Sequence, residues 1–322
     1  MRIGFNIGYL HTKRIIYMKQ EIILGDCLNE LQTINTETVD LVVADPPYWK
    51  VIGEKWDYEW RTEKDYVEWS IKWITETSRV LRKGGSFYLF GYFRTLALLV
   101  PYFDELGLEL RQQIVIDKGM RSVSGRATKN YKLFPNTTES ALFIIKDSKP
   151  FIREFLKDRQ KALKLTSKEI NERLGVKSNG GGMWSIYTGV NICEQVPTLE
   201  LWTKLQDVLE FDLSYDKIAQ VYNPQMGLTD VWRDIDFYSE KRFHPTQKPL
   251  KLIKRLIEAS SNPHDLVLDP FGGSGSTMAS CLQLNRQSIT IEKDEEYFNI
   301  IKNRKQAFLN PLQNFTFADI VI

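Results

Sequence analysis

Two short apolar runs, each halted at once by an acidic residue and a rigid or glycine-rich corner, constrain this chain most. The first is Val39–Ala44 (VDLVVA), stopped by Asp45-Pro46-Pro47-Tyr48. The second is Leu266–Leu268, followed by Asp269-Pro270-Phe271-Gly272-Gly273-Ser274-Gly275. A continuous apolar run between breakers reads as a strand buried on both faces, the pattern of a parallel sheet covered by helices. Glu21–Leu24, Ser86–Phe90, Leu110–Ile116, Ser140–Ile145 and Gln287–Ile291 are further strand candidates. Helical spacing covers Tyr66–Leu81, with Lys83-Gly84-Gly85 as its cap, and Leu96–Leu106, broken near Pro101. It returns in Pro249–Ser260, Ser276–Leu284 and Glu295–Lys305. Strands alternating with helices predict a parallel, doubly wound α/β sheet.

In such sheets ligands bind beyond the carboxyl ends of the strands, where both acidic corners fall. The glycines at 272, 273 and 275 let a ligand approach the backbone, and a helix start offers N–H groups. In dinucleotide folds this geometry holds a pyrophosphate. An acidic residue at the first turn position suits an ammonium or sulfonium ligand better. Glu292, at the next strand end, is placed to bind ribose hydroxyls. A plain strand–turn–helix junction is the alternative for a lone glycine turn; two carboxylates at strand ends weigh against it.

The Asp-Pro-Pro-Tyr turn supplies two acceptors, the Asp45 carboxylate and the Pro46 carbonyl, on a stiff corner. An exocyclic amine has two N–H hydrogens and a lone pair delocalised into its base. Binding both hydrogens favours a tetrahedral nitrogen that attacks a sulfonium methyl. Tyr48 adds a flat ring on which an extruded base can stack. A rigid loop with a buried acid is the structural alternative. The chemistry requires both corners to open on one cavity.

Taken in order, Gly25-Asp26-Cys27, DPPY at 45–48, HPTQKP at 244–249, DPFGGSG at 269–275 and Glu292 resemble the permuted β group of DNA amino-methyltransferases. The resemblance covers nearly the whole chain beyond about the first 18 residues and an insert. It implies a doubly wound, mostly parallel seven-stranded methyltransferase sheet with a helical target-recognition insert. It further implies base flipping and S-adenosylmethionine as cofactor. Asp45, Pro46, Pro47 and Tyr48 become the catalytic site. Asp26, Cys27, Asp45, Asp269, Phe271, Gly272, Gly273, Ser274, Gly275 and Glu292 become cofactor residues. His244, Thr246 and Lys248 resemble the segment at the methionine end, with Lys248 the carboxylate partner. Asp45 favours adenine N6; cytosine N4 is the alternative, and an RNA or protein amine a more distant one. Carbon-5 chemistry needs a cysteine nucleophile, typically after a proline, and none stands there. A binding protein with an inactive methyltransferase fold is the competing class; intact Asp45 and Asp269 argue against it.

Expected boundaries are an irregular extension at 1–18, a catalytic half at 19–149, a helical insert at 150–231 and a cofactor half at 232–322. Translation starts at Met1 or Met18. Asp117–Leu133 carries Lys118, Arg121, Arg126, Lys129 and Lys132, read as a loop gripping DNA phosphate, with a solvated basic loop as the alternative. Thr166–Val176 resembles the first part of a helix-turn-helix, and Met183, Trp184 and Tyr187 its second helix. A helical lid or a dimer surface is the other reading. Net charge is only +2, so any DNA footprint must come from clustering. Cys27, Cys193 and Cys281 are scattered, which disfavours zinc and fits a reducing cytoplasm. No apolar run approaches a membrane span. Double-stranded DNA is the expected partner; a homodimer and a separate restriction endonuclease are left open.

Overall fold

The computed structural model describes residues 18–49, 59–123, 134–176, 182–189 and 195–309. One sheet is built from β1 (Gln20–Leu24), β2 (Val39–Ala44), β3 (Leu81–Gly91), β4 (Leu108–Asp117), β5 (Thr138–Lys146), β6 (Val231–Trp232), β7 (Leu266–Asp269) and β8 (Gln287–Glu292). Their order is β1-β8-β7-β2-β3-β5-β4-β6. Neighbours are parallel except around β5, which runs antiparallel to both β3 and β4. All seven predicted strands are present. The expectation of a seven-stranded sheet is corrected to eight by β6, whose two residues are too few to show any period. It pairs with β4 through Val115–Val231 and Ile116–Trp232.

The helices are α1 (Cys27–Glu30), α2 (Glu63–Val80), α3 (Phe93–Leu99), α4 (Lys149–Ala162), α5 (Ser167–Arg173), α6 (Gly182–Thr188), α7 (Leu199–Leu209), α8 (Leu250–Ser260), α9 (Ser276–Gln283) and α10 (Glu295–Leu309). They bury both faces of the sheet. Because strand side chains alternate, Val42 and Ala44 of β2 join Trp73 and Ile74 of α2 on one face. Leu41 and Val43 join Ile253, Leu256 and Ile257 of α8 on the other. This two-sided burial is why β2 reads as an unbroken apolar run. No helix among the described residues is long and apolar enough to cross a membrane.

The expected cap at Lys83-Gly84-Gly85 is a correction. A Thr62–Asp65 capping box starts α2, which ends at Val80, and Leu81 is already extended at φ −68°, ψ 131°. Lys83-Gly84-Gly85 therefore lies inside β3. Gly84 has φ +70°, and a Cβ there would meet the Ala219 backbone at 2.6 Å, so only glycine fits. This contact joins the sheet to the end of the helical segment. That segment has its own core, in which Ile152 and Leu156 (α4), Ile170 (α5), Trp184 and Tyr187 (α6) and Trp202 and Leu205 (α7) pack together.

Asp40 and Arg82 fasten the same region. Arg82 Nε donates to Asp40 Oδ1 at 2.7 Å, and Leu266 N donates to Asp40 Oδ2 at 2.9 Å. Arg82 Nη1 also donates to the carbonyls of Lys83 and Ala219, at 2.8 and 2.9 Å. One ion pair thus holds β2, β3, the start of β7 and the backbone at Ala219. Removing one partner of a buried pair leaves the other uncompensated. Arg82→Met should cost about 3 kcal/mol, read as a lower urea midpoint at unchanged slope. A loss below about 1 kcal/mol would show that the pair behaves as an exposed one.

Candidate active site at the carboxyl edge of the sheet

Parallel strands present their carboxyl ends along one edge. Adjacent β1, β8, β7 and β2 there deliver Gly25-Asp26, Glu292, Asp269 and Asp45. Because β5 runs backwards, its start at Thr138-Glu139 falls on the same edge, opposite the end of β4. Sheet topology alone therefore gathers acids from distant parts of the chain.

At the glycine corner the backbone amides are engaged within the protein. Phe271 N donates to Asp269 Oδ1 (3.0 Å), Gly272 N to Ile291 O (2.8 Å), Gly273 N to Glu292 Oε2 (2.7 Å) and Gly275 N to Gly272 O (2.8 Å). The free N–H groups expected at this helix start are thus largely occupied, which leaves little to cradle a phosphate. Carboxylates face the cavity instead. Burial, the largest influence, pushes the Asp269 carboxyl up to about 7; the Thr277 hydroxyl and Phe271 N–H oppose it, and Asp45 and Glu292 add to it. Glu292 is raised for the same first reason, although the Asp294 and Gly273 amides hold it. Gly272 is needed for close packing, since a Cβ would sit 2.6 Å from Thr290 and 2.8 Å from Ile301.

At the proline corner Tyr66 Oη donates to the Pro47 carbonyl at 3.0 Å, anchoring the turn to α2. Lys248 Nζ lies 2.5 Å from Asp45 Oδ2 and 2.9 Å from Glu139 Oε1. The Tyr48 hydroxyl is 2.8 Å from Asp45 Oδ1 and 2.7 Å from Glu139 Oε1. Lys248 is 5% exposed and Glu139 8%, so each depends on its partners. Burial disfavours the Lys248 ammonium, but Asp45 and Glu139 more than offset this and hold its pKa above the ordinary lysine range. Burial is also the first influence on Glu139, outweighed by Lys248 and Lys118, so its carboxyl stays below the usual range. Asp45, with burial dominant and Glu139 beside it, is raised despite Lys248.

The two corners open on one cavity of about 380 Å³, lined by both Tyr48 and Gly273. Asp26, Cys27, Asp45, Pro46, Pro47, His244, Thr246, Lys248, Asp269, Phe271, Gly272, Ser274 and Glu292 line it too. Of the residues expected at the cofactor, Gly275 alone is not on its wall; it caps α9 at φ +76°. His244 packs on the Tyr297 ring at 4.3 Å, and burial followed by the Lys248 charge lowers it to about 4, so it is neutral at pH 7. Burial, with Asp26 adding, pushes the Cys27 thiol up to about 12, unlike a nucleophile.

Several side chains point elsewhere than expected. Lys248 is turned to Asp45 and Glu139, where a buried and a half-buried carboxylate demand a cation. Lys118, expected on phosphate, lies 3.7 Å from Glu139 for the same reason. Arg121 is exposed, whereas Arg126, Lys129 and Lys132 lie outside the described residues. Glu139, Tyr66, Trp69 and Tyr297 were missed. Glu139 had a signal, a lone charge at the start of an apolar strand, but its relevance needed the direction of β5.

A family model described as DNA methylase matches residues 39–303, most of the chain. The chain belongs to this DNA methylase family. The methylase is 32% identical over 287 residues to the DNA adenine methyltransferase YhdJ of Escherichia coli, covering 87% of this chain and 80% of that protein. It is 26% identical over 298 residues to the type II methyltransferase M.HinfI of Haemophilus influenzae, covering 88% of this chain and 67% of that one. The solved complex of M1.HpyAVI with SAM shares the methylase's fold at a TM-score of 0.53 and 20% identity, over 88% of this chain and 98% of that one. The cytosine-N4-specific PvuII DNA methyltransferase does so at 0.53 and 17%, over 94% and 91%.

Proposed function

We propose that this protein transfers a methyl group from S-adenosylmethionine to the 6-amino group of adenine in duplex DNA, drawing the base into the cavity. The observation that carries this reading is the single cavity shared by the Asp45-Pro46-Pro47-Tyr48 corner and the Asp269 glycine loop. A relative named an adenine methyltransferase at 32% identity favours adenine over cytosine.

The cavity fits the cofactor chemically. Loop amides engaged by the protein and carboxylates facing the space suit a cation rather than a phosphate. Asp269 would meet the cationic portion, and Glu292, fixed by two backbone amides, would accept from ribose hydroxyls. Phe271, held against Trp73 at 5.0 Å, and Trp69 supply apolar wall. When bound, the cofactor supplies an electrophilic methyl on a sulfonium. The chain orients the amine: Asp45 and the Pro46 carbonyl accept its hydrogens, so the lone pair is freed toward the cofactor side. Lys248 opposes the burial that raises the Asp45 carboxyl. The helical segment at 150–231 reads the target sequence. Exchange of 150–231 for a relative's segment should change the methylated site; an unchanged site would remove that role.

Methylome sequencing of DNA from cells expressing the chain tests the whole reading. Methyl-adenine at one recurring sequence is expected; methyl-cytosine or unmodified DNA rejects it. Asp45→Ala should lower turnover on duplex DNA by at least about 10³-fold, with cofactor affinity within about threefold by calorimetry. Near-normal turnover would remove Asp45 from the chemistry.

Cofactor affinity should depend on pH through Asp269. Its folded pKa of about 7 lies above the ordinary aspartate value, so the ligand-free carboxyl holds its proton below that pH. A cationic ligand favours the ionised form, and binding below pH 7 must expel a proton. Affinity should therefore tighten as pH rises from 5 through 7, by at most about tenfold per unit, and level off above. In Asp269→Asn the dependence should vanish; a wild-type profile flat from 5 to 8 would contradict the assignment.

A further inference from the structure

Glu139 does not itself line the cavity, yet it sits behind Asp45 with two of the same donors. A tyrosine hydroxyl has one hydrogen to give. That of Tyr48 has two acceptors at nearly equal distance, Asp45 Oδ1 at 2.8 Å and Glu139 Oε1 at 2.7 Å. Lys248 Nζ addresses the other Asp45 oxygen at 2.5 Å and Glu139 at 2.9 Å. Both oxygens of Asp45 are thus addressed by the protein itself. An incoming amine needs one of them.

We propose that Glu139 is a positioning residue for methyl transfer: it takes the Tyr48 hydroxyl hydrogen and shares the Lys248 ammonium, leaving one oxygen of Asp45 open to the substrate amine. This rests on the reading of Asp45 as the acceptor for that amine. When the amine arrives, the Tyr48 hydrogen turns to Glu139, and no hydrogen bond is lost in the exchange. Without Glu139, Asp45 is the one acceptor left to the Tyr48 hydroxyl among the described residues, and Lys248 loses its second carboxylate. The amine must then displace a donor that has no other partner, in a site where an unpaired buried group is costly. Glu139 is itself 8% exposed in a strand whose next residues are buried and mostly apolar, a placement that is costly unless the charge is used. Lys118 Nζ, 3.7 Å from its other oxygen, keeps it ionised and ready to accept.

The test is steady-state methylation of duplex DNA, with cofactor affinity measured beside it. Glu139→Leu should lower kcat roughly 10- to 100-fold, while the Kd for S-adenosylmethionine stays within about twofold. Glu139→Gln, which keeps a carbonyl acceptor, should fall between Glu139→Leu and the wild type. Tyr48→Phe deletes the competing hydroxyl. Added to Glu139→Leu, it should recover at least about threefold in kcat, although alone it does not accelerate the enzyme. Additive losses in the double variant, or a Glu139→Leu enzyme of normal kcat, overturn the proposal. If Glu139→Leu does not fold, the same cycle is run with Glu139→Gln. If neither folds, Glu139 serves stability and the proposal fails. A wild-type chain that methylates nothing instead defeats the underlying reading of Asp45.

Discussion

The Lys248 ammonium, nearly inaccessible to water, is the interaction on which the site turns. It meets Asp45 203 positions earlier in the chain and Glu139 on the reversed strand β5. A buried lysine is tolerable only with compensating anions, and a buried carboxylate pair only with a cation between them. None of the three can be placed without the other two. The Lys248 backbone is tied in as well, its carbonyl accepting from Ser276 Oγ at 2.8 Å at the start of α9. The proline corner and the glycine corner are therefore held in one frame by charge as well as by the sheet.

Charge also explains how a strand–glycine–helix junction can serve a cation. The geometry resembles one that binds phosphate, but that use needs unpaired amides at the helix start. Here the Phe271 and Gly273 amides are taken by Asp269 and Glu292, and both carboxylates are raised by burial. The same backbone shape thus acquires the opposite preference through two side chains.

The sequence exposed the elements that carry their own period or punctuation. β2 and β7 stood out because burial on both faces makes an unbroken apolar run and an acidic corner ends it. Gly275 stood out as a glycine against a ligand, whereas it serves at φ +76° as the cap of α9. What stayed hidden depended on direction and on partners. β6 is two residues with no pattern. Lys83-Gly84-Gly85 resembles a helix cap, yet Gly84 is a glycine because the Ala219 backbone crosses it. Lys118 read as a phosphate contact and Lys248 as a partner for the cofactor's carboxylate, since nothing local says that Glu139 is buried between them. The motif residues of the candidate site were legible one by one; the ion network that orients them was not.

The cofactor side of the cavity is closed by the first and last strands. β1 pairs with β8 in parallel, Leu24 beside Glu292, and Gly25 N donates to Glu292 O at 2.9 Å. Asp26, which caps α1, and Glu292 therefore reach one pocket from opposite ends of the chain. Closing so long a loop carries an entropic cost that grows only slowly with length, so the separation is affordable once the central strands exist. It also means that the order of the two halves along the chain is of little consequence to the chemistry. What matters is that β2 and β7 are neighbours, so that Asp45 and Asp269 emerge side by side whichever half is synthesised first.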